Sequence, residues 1–158
     1  MSEEVLLFGG FFFGVLGIAA LVAWILFLLT LYKTAEEITL DDRQLNPGYV
    51  WLNLIPLFNV VWIFFTIIWL SRDMTDQAQH YLDKKPAKTP KGDLTEIQEQ
   101  EADKIWGLVF AGLWASTLIP YLNTITMIAA VIVWIIYWVK ITNNRKVLEE
   151  SRKELANA

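Results

Sequence analysis

The sequence contains no cysteine, which excludes disulfides, thiolate metal sites and cysteine nucleophiles together. Its one histidine, His80, rules out two axial haem histidines or a multi-histidine metal centre within a single chain. Gly-x-Ser-x-Gly, the P-loop, His-Glu-x-x-His and the dinucleotide fingerprint are also missing. The absence that governs the rest is of charge. No Asp, Glu, Lys or Arg occurs from Val5 to Tyr32, from Tyr49 to Leu70, or from Ile105 to Val139.

What fills those stretches is apolar. Hydrophobic residues make up 55% of the 158 and charged residues 19%, below the usual quarter for a soluble domain. A helix on a soluble core needs a polar face, and these runs offer none. About 20 apolar residues suffice to cross ~30 Å of hydrocarbon. Lipid supplies no partner for an open backbone, so each run is expected to be helical. The net charge of −4 comes from acids and bases mixed within the same segments. No basic face suited to nucleic acid results. Met1-Ser2-Glu3-Glu4 lacks the cationic start of a secretory signal, and the apolar run after it exceeds an h-region, so a retained first span is expected.

The lengths suggest four spans in one membrane domain. The first, residues 5–32, would measure ~42 Å as a helix and must tilt or project. Gly10 and Gly14 within it have the small-xxx-small spacing that lets helices approach closely in lipid. Asn46-Pro47-Gly48 reads as a turn. In the second run, residues 49–70, Pro56 interrupts helical hydrogen bonding. Either one kinked helix covers that run, or Tyr49 to Ile55 forms a short interfacial or re-entrant piece before a helix beginning near Leu57. The polar segment 71–104 starts as a continuation of the second helix. It then carries a linker with two prolines and a glycine, and reopens with Asp93 and Glu96 in a capping-box pattern. The run 105–139 is too long for one crossing, so Pro120 divides it into a hairpin, 105–119 and 121–139. The tail 140–158 continues as helix, with Arg145/Glu149 and Lys146/Glu150 spaced four apart.

On this four-span scheme the start, the central loop and the tail share one side and hold 0, 6 and 5 cations. The other side holds Lys33 and Arg43. The cation rule then puts both termini in the cytoplasm. Leu54-Ile55-Pro56-Leu57-Phe58-Asn59 and Leu118-Ile119-Pro120-Tyr121-Leu122-Asn123 agree at four of six positions, which suggests a parallel two-fold internal repeat. Proline-interrupted segments in matching positions point to a transporter site. The competing reading is that Pro-x-x-Asn shapes two turns near the outer surface.

The spans hold no ionisable group, the usual marker of a proton relay or charge-coupled pump. Their polar residues include Asn53, Asn59 and Asn123, suited to interhelical hydrogen bonds. Among eight tryptophans, Trp51, Trp69, Trp106 and Trp138 fall near span ends, as an aromatic belt requires. Trp62, Trp114 and Trp134 lie deeper and are candidates for helix packing and protein–protein contact. Lys84, Lys85, Lys88 and Lys91 cluster next to the membrane surface, where cations attract anionic headgroups.

The run from Asn46 to Asn59, with its Pro-Gly turn, aromatic and Ile-Pro-x-x-Asn before a hydrophobic helix, resembles small bacterial membrane proteins of unknown function. That resemblance implies a bacterial inner-membrane location and brings no activity or catalytic residues. The expectation is a non-enzymatic membrane protein without cofactor or metal. It acts by helix association in lipid, as a homo-oligomer or a small subunit of a larger complex. A channel or transporter with a path near Asn59 and Asn123 is the alternative.

Overall fold

The computed structural model describes residues 3–84, 94, 95, 97, 103–116 and 123–157, with side chains from residue 11 onward and from 126 in the last helix. Among the described residues the chain is all helical. Its elements are α1 (Glu3–Glu37), a 3-10 helix η1 (Pro47–Leu54), α2 (Phe58–Lys84), α3 (Lys104–Ser116) and α4 (Asn123–Ala156). Both α1, over Phe11–Glu37, and α4, over Thr126–Ala156, are long and apolar enough to cross a membrane. Only 11% and 17% of their most apolar windows are buried. A soluble core helix would show the reverse.

Several threonine hydroxyls of the long helices are satisfied within their own helix. Thr30 and Thr34 in α1 donate their hydroxyls to the carbonyls of Leu26 and Thr30, at 3.0 and 2.7 Å, and Thr142 does the same to Trp138 at 2.8 Å. Such back-bonding removes a donor that lipid would leave unpaired. As the sequence suggests, α4 runs unbroken through the polar tail. Glu149 pairs there with Lys153 at 2.6 Å, which holds its carboxyl below the usual range.

The second run resolves into two elements. Asn46 caps η1, its side chain accepting from Gly48 N–H at 3.0 Å, with Pro47 at the first helical position. The Asn-Pro-Gly signal thus starts a helix as well as turning the chain. At the other end Phe58 N–H donates to Pro56 O at 2.8 Å and Asn59 N–H to Ile55 O at 2.9 Å. This closes a tight turn in which Leu57 takes a left-handed φ of 65°. Pro56 therefore sits in a reversal, not in a kinked helix. Beyond the turn, η1 and α2 run antiparallel: Asn53 meets Thr66 at 3.0 Å and Leu45 meets Asp73 at 2.8 Å.

The four-span scheme sets the connector after α1 apart from the central loop and the tail. In the structure Glu37, at the end of α1, forms an ion pair with Arg152 of α4 at 3.0 Å. Thr39 N–H donates to Gln77 of α2 at 2.8 Å. The connector lies at the same end of the molecule as the last turns of α2 and α4, because α1, α2 and α4 all point their C-termini that way. Asp103, which opens α3, meets Lys140 at 2.6 Å, so the α3–α4 hairpin also leaves from and returns to this polar end.

Side-chain burial divides the molecule along the helices. Toward the polar end Phe27, Leu31, Leu70, Met74, Tyr137 and Ile141 are buried. Toward the other end Phe11, Phe13, Ile18, Met127 and Ile128 stand exposed. From the level where Trp24 meets Trp134, α1 extends 21 residues to Glu3 and α4 extends 11 to Asn123. At 1.5 Å per residue α1 overhangs its neighbours by about 15 Å.

Candidate functional site

Two polar arrangements and one groove carry the distinctive geometry. The first arrangement fixes the connector. Asp73, only 3% exposed, accepts from the N–H groups of Gln44 and Leu45 at 2.9 and 2.8 Å. Burial pushes its carboxyl above the ordinary value, and the two N–H bonds pull against that shift. Beside it Gln77, fully buried, accepts from both the N–H and the hydroxyl of Thr39. A carboxylate used as a double backbone acceptor is a bracket.

The second arrangement holds η1. Asn53, buried, donates its Nδ2 to Val50 O at 2.9 Å and to Thr66 Oγ1 at 3.0 Å, while Thr66 donates onward to Trp62 O. The Trp62 indole N–H donates to Tyr49 O at 2.8 Å, and its ring stacks on Phe58 at 5.3 Å. Both Asn53 and Trp62 are thereby engaged within the chain, tying a 3-10 segment to its neighbour.

Above these brackets a half-open groove of about 340 Å³ lies between α1, the start of α2, α3 and α4. Trp24, Phe110, Trp114 and Trp134 form its aromatic wall. Trp24 stacks on Trp114 at 5.7 Å with an interplanar angle of 14°, and meets Trp134 at 6.3 Å. Ala20, Leu21, Met127, Ala130 and Val131 supply apolar flanks, and Asn59 the amide. Trp114 and Trp134, candidates for helix packing and for protein–protein contact, turn their rings onto Trp24 of their own chain. Inside the wall the Asn59 Oδ1 and the Trp134 indole N–H are both buried without a hydrogen-bond partner.

The remaining sequence candidates separate. An added Cβ on Gly14 would meet nothing within 4 Å, so none of the described helices packs against it. Gly10 lies on α1 and Asn123 opens α4, but their side chains fall outside the described residues. Lys84 is exposed at the end of α2, whereas Lys85, Lys88, Lys91 and the Asp93/Glu96 pair lie outside the described residues. Of the two hexapeptides, 54–59 is described, and its second copy lies, but for the backbone of Asn123, outside the described residues.

Three features escaped the sequence reading. Trp24 is the hub of the aromatic cluster, and its partners come from helices far along the chain. Asp73 is one acid among several. Gly107 is where α2, α3 and α4 cross: an added Cβ would lie 2.6 Å from Ile67 Cγ2 and 2.8 Å from Tyr137 Cε2. The Gly107-x-x-x-Ala111 spacing was the available signal for it. Among the described residues no cluster of three metal-ligating side chains occurs. Compared with family models, curated proteins and solved structures, the chain matches none of them.

Proposed function

We propose that this is an integral membrane protein of the bacterial inner membrane, non-enzymatic, that acts by helix association through the outer half of α1. In this reading α1 and the α3–α4 hairpin cross the bilayer. The η1–α2 pair dips in from the side bearing the polar end and returns. All 13 Lys and Arg belong to three segments, 33–48, 71–104 and 140–153, that follow or precede helix ends gathered at the polar end. The cation rule makes that end cytoplasmic, with the Glu3 end of α1 on the opposite side. This reading replaces the arrangement with both termini inside.

The observation that carries association is the uncovered overhang of α1. Phe11 and Phe13 are each 73% exposed, and the positions of Gly14 and Gly17 open onto space. We assign the overhang to a second copy of this chain. Two overhangs side by side cover both faces at once, and the open glycines let them approach closely. Placing a photo-crosslinking residue at Phe13 in native membranes tests this. A homodimer adduct is expected; adducts to lipid alone, or to a different protein, reject it. A solute path near Asn59 and Asn123 has less support, because the described lining around Asn59 is otherwise apolar and aromatic, and the Asn123 side chain lies outside the described residues.

A further inference from the structure

The aromatic groove has a chemistry that packing alone does not use. The Asn59 side chain lines the groove, and its Oδ1 is buried and unpartnered. The indole N–H of Trp134, in the same lining, is unpartnered too. The assignment of oxygen and nitrogen in an amide is interchangeable by a half-turn, so Asn59 can present either a donor or an acceptor to an occupant. In water such groups cost little, but in hydrocarbon an unpaired amide is expensive.

We propose that this groove holds the hydroxyl end of a neutral, single-headed lipid, hydrogen-bonded to Asn59, with its chain leaving through the open side. This rests on the membrane reading above. Three observations select that occupant. Among the described residues no charged side chain lines the groove, so an ionic headgroup would enter without a partner there. Asn59 stands 13 residues along α2 from Arg72, about 20 Å at 1.5 Å per residue, which is within the hydrocarbon and away from phospholipid headgroups. The void of about 340 Å³ is half-open, so it takes one end of a chain and leaves the rest to the bilayer. A hydroxyl donates and accepts at one atom, and so satisfies the amide in either orientation.

Native mass spectrometry of the detergent-purified full chain tests the assignment, with oleyl alcohol and 1-octadecene as probes of equal chain length. The alcohol is expected to bind about 3- to 30-fold more tightly, the range of one intramembrane hydrogen bond. Asn59→Leu removes that preference while retaining hydrocarbon binding. Ala20→Trp fills the groove and loses both probes, and Trp62→Phe, outside the groove, changes neither. Equal binding of the two probes, a preference that survives Asn59→Leu, or no binding of either overturns the proposal. Each variant is compared at matched thermal unfolding, and Asn59→Ser, which keeps a hydroxyl, restores part of the preference. Retention of the chain in carbonate-washed membranes tests the membrane reading separately, so failure of one is distinguishable from failure of the other.

Discussion

Glu37 and Arg152 lie 3.0 Å apart, although 114 residues separate them in sequence and each ends a long helix. A half-exposed pair of this kind contributes little stability, on the order of 1 kcal/mol. Its value is geometric: it places the far ends of α1 and α4 together.

Because the chain has no cysteine, single cysteines report sidedness without background. Asp42→Cys in the connector and Asn157→Cys after α4 should respond alike to an impermeant maleimide in intact cells, both unlabelled. Ser2→Cys should label. Labelling of Asp42→Cys with Asn157→Cys protected would restore the connector to the opposite side.

Gly107→Ala should destabilise the crossing of α2, α3 and α4 by about 1–3 kcal/mol, the usual cost of overpacking. The comparison is Gly112→Ala, whose Cβ would meet nothing within 4 Å and should be close to neutral. Unfolding in SDS after reconstitution in mild detergent measures both. Equal effects would remove the tight crossing.

Leu57 holds a left-handed φ of 65° while 80% exposed, so its side chain contributes little burial in return. Leu57→Gly should raise stability by about 1 kcal/mol, the relief of left-handed strain less the added freedom of the unfolded chain. The same SDS titration reads it, and a loss of stability would mean that the leucine side chain anchors the turn.

Asp73 predicts a pH dependence with a definite sign. Burial raises its folded pKa above the ordinary 3.8, so the folded chain binds this proton more readily than the unfolded one. Its contribution is full below the ordinary value and declines as pH rises through the raised one. Wild type should therefore lose stability relative to Asp73→Asn over that window. Asn keeps one acceptor for two N–H groups, which adds a pH-independent cost of about 1–3 kcal/mol. Melting curves of both proteins from pH 3 upward check this; a difference that grows with pH in favour of wild type would reverse the sign.

Much of the fold is written in where charge is absent. Lys33, Lys104 and Lys140 bound the uncharged runs, and helices occupy those runs because backbone without water must bond to itself. The direction of the second run is not written there. Counting cations assumes that each run crosses, and Tyr49 to Leu70 is long enough to do so; the reversal at Ile55–Phe58 is a local hydrogen-bonding choice made around Pro56. For the site, Asn59 was legible as an amide within an uncharged run, but its surroundings were not. Trp24, Trp114 and Trp134 belong to three helices, and only tertiary packing decides which indoles face one another.

The 3-10 segment constrains how the protein is made. Its buried side, Pro47, Val50 and Asn53, is sheltered by α1 and α2, with Asn53 bonded to Thr66. Backbone of that kind is tolerated at depth only when protein surrounds it. On the proposed membrane reading, a nascent chain that ends at Leu57 would have α1 but no α2 to shelter that side. The segment would then dock only once Thr66 had been made, after the helices on either side of it and not as part of threading.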